Sequence, residues 1–473
     1  MRIIYDLYSY FLKGDFKKVN NSLLDGVKTV HFIGIGGSGM FPLVQILNKK
    51  GFEITGSDNN ESDILKMVRN LGIKVNMNQR AENIKNVDLI IYTSAVFDDN
   101  PELVAAKKSK IKTIERNDLL GYLTALYSDC VCVCGTHGKT TTTSMLTQIL
   151  LDSDMDPSAV IGGKLKSINS YARLGNSQIM VCEACEYANH FLKLAPDISI
   201  VLNIDNDHME YFKTAENLKN SFGKFLNQTK KTIIYNCDDA NVSDVVFAVD
   251  KKRISFGFLP TNDYYPTNIS VFSGTRTKFS ICRRGKIVAK DVEIFVPGRH
   301  NILNAVAAAA AAFELKAPVE GILKGLFNFR GVGRRFEFIG EKNGITVVDD
   351  YAHHPTEICA TLKAAKECGF KKIWAVHQPF TYSRTKMLID EFAKALSVAD
   401  RVVLTEIMGS REKNTFGVYA KDLAEKIEGC DWFKTQSEAA QYVLENADSG
   451  DLVITLGCGD IYKCAKMMIF GKY

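Results

Sequence analysis

Residues 135–142 read Gly-Thr-His-Gly-Lys-Thr-Thr-Thr and follow directly on the apolar run Cys-Val-Cys-Val-Cys at residues 130–134. A buried strand that ends in such a loop and continues as a helix is typical of a nucleotide triphosphate site, because glycines let backbone N–H groups surround phosphate oxygens. In this arrangement Lys139 reaches the outer phosphates and the Thr140 hydroxyl holds Mg²⁺. Val133 stands where the first glycine of the motif usually falls. The pattern still predicts an ATP site rather than an ordinary strand–helix turn.

The composition of the 473-residue chain limits the classes of protein it can be. Its length favours about three domains over a single core. A net charge of +5 does not indicate nucleic-acid binding, and no apolar run approaches the roughly 18 residues of a membrane span. The first 18 residues lack the apolar core of a signal peptide. The twelve cysteines are scattered, and the pair Cys182-x-x-Cys185 has no matching second pair, which favours reduced core thiols over zinc. We therefore expect a cytoplasmic protein that binds neither nucleic acid nor membrane.

Apolar strand-like runs alternate with helix-length segments, which predicts an α/β fold with parallel sheets and crossover helices. Fresh strand starts divide the chain into three predicted domains, residues 1–125, 126–333 and 334–473. In the last domain we expect strands over residues 345–348, 373–376 and 452–456. Ligands of open parallel sheets bind at the carboxyl ends of strands. Glycine-rich or polar clusters follow six predicted strands, at residues 34–39, 135–140, 183, 203–208, 349–354 and 378–384.

The first cluster, Gly34-x-Gly36-x-x-Gly39, precedes a predicted helix over residues 40–50, and Asp58 ends the next strand. This spacing fits a dinucleotide fingerprint, in which the acidic residue binds a ribose hydroxyl. A glycine turn at a helix N-terminus binds any diphosphate, so a nucleotide sugar satisfies the pattern as well as NAD does. Because an ATP loop follows in the same chain, we favour a nucleotide sugar over NAD and over a purely structural turn.

Three clusters in the predicted central domain supply candidate ligands of metal ions and of the adenine base. Glu183 ends a strand where ATP sites place a Mg²⁺ carboxylate, and Glu186 is close enough to share that role. His208 lies in a polar cluster after the next strand and is a candidate ligand of a second metal. Asn301 and Asn304 lie one helical turn apart, so both can face a ligand such as adenine, or Asn301 simply caps the alanine-rich helix.

Two further clusters lie near the predicted start of the third domain. Arg334 and Arg335 are a basic pair, and the planar fork of arginine suits phosphate because it donates two parallel hydrogen bonds. The sequence Asp349-Asp350-Tyr-Ala-His353-His354 places two carboxylates and two imidazoles in six residues after a buried strand. Packing does not explain such a density of titratable groups, which indicates a functional site.

Taken together, these motifs resemble those of the Mur ligase family over nearly the whole chain, from about residue 30 to about residue 462. The likeness is greatest to members that join L-alanine to UDP-N-acetylmuramate. It implies a Rossmann-like UDP-sugar domain, a central P-loop ATPase-type domain with a parallel or mixed sheet, and a C-terminal Rossmann-like α/β domain that helps to bind the amino acid and ATP. It also implies ATP-dependent ligation through an acyl phosphate in peptidoglycan precursor synthesis.

The resemblance implies UDP-N-acetylmuramate and L-alanine as substrates, ATP with one or two Mg²⁺ ions as cofactors, and a monomer or weak homodimer. The implied catalytic residues are Lys139, Glu183, His208, Arg335, Asp350 and His354. The implied ATP-binding residues are Gly135, Thr136, His137, Gly138, Lys139, Thr140, Thr141, Asn301 and Asn304. The implied substrate-binding residues are Gly36, Gly37, Ser38, Gly39, Asp58, Ser94, His353 and Arg384. The implied metal ligands are Thr140, Glu183 and His208.

Three departures from the family pattern concern Cys185, where many members carry Asp, the order His377-Gln-Pro-Phe380 in place of Phe-Gln-Pro-His, and Thr381 in place of an arginine. Four alternatives stay open at this point. They are a recycling ligase that attaches a tripeptide to the same UDP-sugar, a folate-type glutamate ligase, an NAD-dependent oxidoreductase and a non-catalytic nucleotide-binding regulator. The acceptor also stays open among alanine, glycine and serine.

Overall fold

The computed structural model of the chain describes residues 23–271, 275–410 and 412–471. It confirms the predicted α/β class, with three sheets that follow one another along the chain. The outer limits of the first and third predicted domains, residues 1 and 473, lie outside the described residues.

The N-terminal sheet contains the strands β1 (Thr29–Ile33), β2 (Glu53–Asp58), β3 (Lys74–Met77), β4 (Leu89–Tyr92) and β5 (Lys112–Glu115). Its helices are α1 (Phe41–Lys49), α2 (Asp63–Asn70), α3 (Pro101–Lys108) and α4 (Arg116–Ala125). All strand pairs are parallel, in the order β3-β2-β1-β4-β5. The order reverses between β1 and β4, so the loops after these two strands flank the crevice where such sheets bind ligands.

The central sheet contains the strands β6 (Asp129–Cys134), β7 (Ser158–Leu165), β8 (Ser170–Arg173), β9 (Ile179–Glu183), β10 (Ile198–Val201), β11 (Thr232–Asn236), β12 (Lys252–Phe256), β13 (Tyr264–Val271), β14 (Thr277–Arg283) and β15 (Lys286–Ile294). Its helices are α5 (Lys139–Asp152), α6 (Met209–Phe212), α7 (Ala215–Asn227), α8 (Ala240–Phe247), α9 (Arg299–Glu314) and α10 (Val319–Asn328). The order is β15-β14-β13-β12-β11-β10-β6-β9-β7-β8, with antiparallel pairs only toward the two edges. Because β9, β6 and β10 are neighbours and parallel, the loops that follow them lie side by side.

The C-terminal sheet contains the strands β16 (Glu337–Lys342), β17 (Ile345–Asp350), β18 (Ile373–His377), β19 (Arg401–Thr405), β20 (Asp431–Phe433) and β21 (Leu452–Leu456). Its helices are α11 (Pro355–Lys366), α12 (Tyr382–Met387), α13 (Ile389–Leu396), α14 (Ala420–Ala424), α15 (Gln436–Asn446) and α16 (Tyr462–Phe470). The order is β16-β17-β21-β18-β19-β20, and only β16 runs antiparallel. The loops after β17, β21 and β18 are therefore adjacent.

Small residues bring the central helices close together. Residues 305–312 of α9 are all alanine except for Val306, and all eight side chains are fully buried. Gly325 of α10 lies so close to α5 that an added Cβ would overlap the Ile149 backbone. Within the part of the chain that is described, no helix combines the length and the hydrophobicity that crossing a membrane demands.

The cysteines pack as side chains of the core. All twelve are free and seven are buried, including Cys130, Cys132 and Cys182 on the neighbouring strands β6 and β9. The Sγ atom of Cys132 lies 3.8 Å from that of Cys130 and 3.5 Å from that of Cys182. Cys185 does not join this group, so the C-x-x-C spacing does not produce a pair of ligands.

Substituting Gly325→Ala tests the close packing of α10 on α5. The new methyl group would meet backbone atoms that cannot move aside, so we expect a loss of about 1–3 kcal/mol in the free energy of unfolding. Urea unfolding followed by circular dichroism measures this change. The matched control is Gly223→Ala in α7, where the nearest atom to an added Cβ is 3.8 Å away and alanine should stabilise the helix by up to about 1 kcal/mol. Equal effects of the two substitutions would contradict the packing argument.

Candidate functional site

The phosphate loop between β6 and α5 is held by hydrogen bonds from the neighbouring loop after β10. The side chain of Asn203 accepts from His137 N at 2.7 Å and donates to His137 O at 3.0 Å. Thr136 N donates to Asn203 O at 3.0 Å. Gly138 precedes α5 with φ of 85°, a conformation that favours glycine, and its Cβ position is filled by the Asn304 amide 2.8 Å away. The loop is thus shaped for backbone N–H groups to face a phosphate.

Lys139, the first residue of α5, is turned back onto its own loop. Its Nζ donates to Gly135 O at 2.5 Å and to Thr136 O at 2.9 Å, and it pairs with Glu186 Oε2 at 3.0 Å. Burial alone would lower the pKa of this ammonium group, but the charge of Glu186 raises it above its usual range. The sequence predicted that Glu186 could share the Mg²⁺-binding role of Glu183. In the structure Glu186 is the counter-ion of Lys139.

Glu183 ends β9 next to the start of α5. Its Oε1 accepts from Gly162 N at 2.6 Å, and Thr140 is a hydrogen-bond partner of the same carboxylate. Burial raises the pKa of Glu183, while these hydrogen bonds and the charges of Arg335 and Lys139 oppose the rise. A hydroxyl and a carboxylate oxygen side by side at a phosphate loop form the kind of hard oxygen donor set that Mg²⁺ takes.

His208 and Arg384 are brought together through Asp207. Arg384 Nη2 donates to Asp207 Oδ1 at 2.7 Å, and His208 Nε2 lies 3.6 Å from Asp207 Oδ2. The His208 ring also packs edge-on against Tyr187, with centroids 4.9 Å apart. Burial would raise the pKa of Asp207, but the charge of Arg384 holds it well below its usual range. An ion pair thus joins the loop after β10 to α12 of the C-terminal sheet.

A cavity of about 470 Å³ lies between the central and C-terminal sheets and is bounded by the phosphate loop. The predicted residues that line it are His137, Gly138, Thr141, Asn301, Asn304, Arg335 and Asp350. Asn301 donates to Pro297 O at 2.7 Å and accepts from Asn304 at 3.0 Å. The alternative that Asn301 caps α9 is wrong, because Gly298 is the N-cap residue and Asn301 lies inside the first turn. Both asparagines instead face the cavity.

The two arginines of the basic pair have different surroundings. Arg334, with φ of 61°, points into the C-terminal domain, where it contacts Asp349 at 2.9 Å and donates to Gly457 O and Gly459 O. Arg335 faces the cavity and packs over the Tyr351 ring at 5.0 Å. Both guanidinium groups lie 5.0 Å from the Tyr351 ring, but of the two arginines it is Arg335 that lines the cavity.

Asp350 is fixed by backbone groups at the end of β17. It accepts from Phe336 N and from Ala352 N, each at 2.8 Å. Burial raises the pKa of Asp350 to about 6, against the opposing charge of Arg335. This carboxyl therefore holds the junction between the basic pair and the C-terminal sheet in place.

His137 of the phosphate loop bridges two carboxylates. Its Nε2 lies 3.2 Å from Asp205 Oδ2, and its Nδ1 lies 3.1 Å from Glu357 Oε1 on α11. Burial alone would lower the pKa of His137, but the hydrogen bonds to Asp205 and Glu357 and their charges raise it to about 9. Thr356 Oγ1 also donates to Asp205, at 2.8 Å. These contacts join the phosphate loop to the C-terminal domain.

The adjacent histidines at the start of α11 differ in tautomer. His353 Nδ1 lies 3.1 Å from Tyr351 O and 3.2 Å from Glu357 Oε2, which leaves a lone pair on Nε2. His354 Nδ1 accepts from Thr356 N, which leaves the proton on Nε2. That buried Nε2 has no hydrogen-bond partner among the described residues. Although His354 lies near His137 and Asp205, a protonated Nε2 is a donor and not a metal ligand.

At the N-terminal sheet, the glycine loop and Asp58 contact one another. Gly36 N donates to Asp58 Oδ2 at 2.9 Å, and a Cβ at Gly36 would lie 2.9 Å from the same atom. Ser38 and Ser94 are exposed on the loops after β1 and β4, on the two sides of the crevice. Gly37 is part of the turn that follows β1, and its N–H donates to Gly34 O at 3.2 Å.

A second cavity, of about 120 Å³, lies between this loop and the central sheet. It is bounded by Ser38, Gly39 and Arg116 on one side and by Gly162 and Glu183 on the other. Glu183 therefore lies between the phosphate loop and the glycine loop, and the site is composed of all three predicted domains.

The positions at which the chain departs from the family pattern are also placed. His377 ends β18 inside the C-terminal core, where its Nδ1 lies 2.9 Å from Leu456 O and its ring stacks on Phe392. Burial lowers the pKa of His377 to about 4. Thr381 precedes α12, and the helix carries Arg384. His377 is thus held in the C-terminal core by contacts with Leu456 and Phe392.

Several residues that complete this site were not predicted from the sequence. Asp205 and Glu357 hold His137, and Arg116 lines the smaller cavity. Asp205 lies in the polar cluster that gave His208, and Glu357 follows the double histidine, so motif position was a signal for both. No motif surrounds Arg116.

Comparisons with known proteins agree with this geometry. Three family models match, described as "Mur ligase family, catalytic domain" over residues 29–128, "Mur ligase middle domain" over residues 133–312, and "Mur ligase, glutamate ligase domain" over residues 334–459. The chain belongs to the Mur ligase family.

Among individual proteins, the chain is 44% identical over 452 residues to the UDP-N-acetylmuramate–L-alanine ligase of Acetivibrio thermocellus, covering 94% of this chain and 96% of that relative. The structure of the UDP-N-acetylmuramate–alanine ligase of Thermotoga maritima superposes with a TM-score of 0.81 at 29% identity, over 93% of this chain and 98% of that chain. A murein peptide ligase of Psychrobacter arcticus shares the fold, with a TM-score of 0.73 at 22% identity over 94% and 98% of the two chains. Membership of the Mur ligase family implies that the chain is a ligase that uses ATP.

The bridge made by His137 predicts a pH dependence of stability. Because its folded-state pKa, about 9, lies above the ordinary 6.5, its contribution is complete below pH 6.5 and is lost as the pH rises through about 9. That contribution is at most on the order of 3 kcal/mol. Urea unfolding of the wild type and of His137→Gln between roughly pH 6 and pH 10 measures it, and the difference between the two should shrink as the pH rises. Glu357→Gln should reduce the same dependence. A difference that stays constant with pH would contradict the bridge.

Proposed function

We propose that the chain ligates L-alanine to the lactyl carboxylate of UDP-N-acetylmuramate, with ATP converted to ADP and phosphate, in cytoplasmic peptidoglycan precursor synthesis. The observation that carries this proposal is the position of Glu183, which borders the phosphate loop on one side and the cavity of the glycine loop on the other. An acid presented by the N-terminal domain would meet the γ-phosphate at this point. The named substrates of the relatives support the same reaction.

The chemical difficulty is to bring two anions together. An oxygen of the lactyl carboxylate attacks the γ-phosphorus, and the bond from that phosphorus to the oxygen bridging it to the β-phosphate breaks. The products of this step are an acyl phosphate and ADP. Lys139 and Arg335 supply fixed positive charge near the transferred group. To reach the phosphate oxygens, Lys139 must leave Glu186. Its other contacts are hydrogen bonds to the carbonyl groups of Gly135 and Thr136 in the same loop. Asn301 and Asn304 would hold the base in the larger cavity, and Asp350 would keep Arg335 in register.

One or two Mg²⁺ ions fit the oxygen donors at this site. Thr140 and Glu183 would hold one ion, and His208 is the proposed ligand of a second. Bound there, Mg²⁺ would neutralise charge that develops on the phosphate oxygens. Gly135, Gly138 and Thr141 would contribute donors around the phosphates, and Thr136, which donates to Asn203 O and Asp205 O, would hold the loop around them.

In the second step the alanine amine attacks the acyl carbon, the C–N bond forms, and the C–O bond to phosphate breaks. The amine loses a proton on the way. The lone pair on His353 Nε2 makes this residue the proposed base, whereas the proton on His354 Nε2 suits an orienting donor. Arg384 would take the alanine carboxylate in place of Asp207.

The alternatives fit the chain less well. An NAD-dependent oxidoreductase leaves Lys139 and Glu183 without a role, and a folate-type ligase lacks a use for the glycine-rich opening. The recycling ligase shares the fold, but the chain is 22% identical to the murein peptide ligase of Psychrobacter arcticus and 44% identical to the alanine ligase of Acetivibrio thermocellus.

We further propose domain limits at residues 1–125, 126–333 and 334–473 and a monomer or weak homodimer. Gly36, Gly37, Ser38, Gly39, Asp58 and Ser94 would bind the UDP-sugar.

Phosphate release tests the proposed reaction. We expect release only when ATP, UDP-N-acetylmuramate and L-alanine are all present, and Lys139→Ala should lower the rate at least about 100-fold because it removes charge from the transition state. The control Lys66→Ala, on the surface of α2 with a side chain 71% exposed, should keep the wild-type rate. Full activity of Lys139→Ala would rule out the assigned ATP site. Release that depends on a tripeptide instead of alanine would favour the recycling reaction.

The role of Arg384 predicts a separate effect on the acceptor. Arg384→Gln should raise the KM for L-alanine by about 10- to 100-fold, since a charge-assisted hydrogen bond to the carboxylate is lost. The KM for ATP should change little. Steady-state kinetics with alanine, glycine and serine as acceptors measures both constants. Lys386→Gln on the same helix, with an exposed side chain, is the control. An unchanged KM for alanine in Arg384→Gln would refute this role.

A further inference from the structure

Arg116 begins α4 and carries a charge that the site described so far does not use. Its Nη1 donates to Gly39 O at 3.3 Å and its Nη2 to Asn117 Oδ1 at 2.5 Å, and both acceptors are neutral. No ion pair joins its guanidinium to a carboxylate among the described residues, although the charge of the adjacent Glu115 acts on it. Its neighbour Glu115 is instead engaged by Lys193 at 3.1 Å. Burial lowers the pKa of Arg116, and the charge of Glu115 opposes this fall only in part.

Two glycines in the lining of the 120 Å³ cavity leave space for charged side chains, Gly39 for Arg116 and Gly162 for Glu183. A Cβ at Gly39 would lie 2.5 Å from Arg116 Nη1, so any other residue there would displace the guanidinium. A Cβ at Gly162 would lie 2.6 Å from Glu183 Oε2. The third glycine of the N-terminal fingerprint therefore admits an arginine side chain. The cavity places a cation opposite the carboxylate that borders the phosphate loop.

We propose that Arg116 binds the reactive carboxylate of the sugar substrate and positions it between the glycine loop and Glu183. The planar guanidinium matches a carboxylate with two parallel hydrogen bonds, and a small cavity suits a three-atom acid group better than a nucleotide. This inference rests on the proposed function and adds the residue that selects for the acid.

The location of Arg116 distinguishes the acid from the diphosphate. Diphosphates bind at backbone N–H groups of a glycine turn, and Arg116 contacts instead a carbonyl at the end of that turn, Gly39 O. The opposite wall is Glu183 of the central sheet, where the acid must meet the γ-phosphate. An arginine at this point therefore faces the reacting end of the substrate.

Calorimetric binding of two sugar nucleotides tests the assignment. UDP-N-acetylmuramate carries the lactyl acid, and UDP-N-acetylglucosamine is the same compound without it. For Arg116→Gln we expect binding of the first to weaken on the order of 10- to 100-fold, with binding of the second unchanged. Arg116→Lys should recover part of the loss because it keeps the charge.

Each other outcome is decisive. Equal weakening of both nucleotides in Arg116→Gln would assign the arginine to the diphosphate and overturn the inference, as would no change in either. Thermal unfolding and the remote variant Arg69→Gln, whose surface partner is Glu61, control for misfolding and for loss of general charge. A wild-type chain that binds neither nucleotide would overturn the proposed function and, with it, this inference.

Discussion

Asn203 fixes the phosphate loop by binding both backbone groups of His137, and the rest of the site is arranged around that contact. A loop of glycines and small polar residues has high conformational freedom, and a single amide that satisfies an N–H and a C=O at once restricts it strongly. The restraint is available because β6 and β10 are parallel neighbours. It also places Asp205, two residues beyond Asn203, against the His137 ring.

From this arrangement follows the electrostatic character of the site. Four carboxylates approach the phosphate loop, and each is held by a positive or donating partner: Glu183, Glu186, Asp205 and Glu357. The loop itself contributes the cations Lys139 and His137. Substrates that bring more negative charge must therefore exchange with groups already present, which links binding of ATP to the contact with the C-terminal domain through His137 and Glu357.

Much of the fold could be predicted because its signals are local. The strand predicted at residues 452–456 is found as Leu452–Leu456, and the helix predicted at residues 40–50 is Phe41–Lys49. Several residues at the predicted strand ends, among them Ser38, Glu183 and Asp350, line one of the two cavities. The contact of His137 with Glu357 was not predictable, since 220 residues separate the partners and no periodicity connects them. Arg334 and Arg335 are adjacent in the sequence, yet one contacts Asp349 and the other lines the larger cavity, a difference that no sequence pattern indicates.

The contacts of Lys139 with its own loop affect which nucleotides this site would bind. Its ammonium group contacts two loop carbonyls and Glu186. A nucleoside without phosphates offers nothing to replace these contacts, whereas the several charges of a polyphosphate exceed the single charge of Glu186. The length of the phosphate tail, in addition to the contacts of the base, would therefore decide which nucleotides bind firmly.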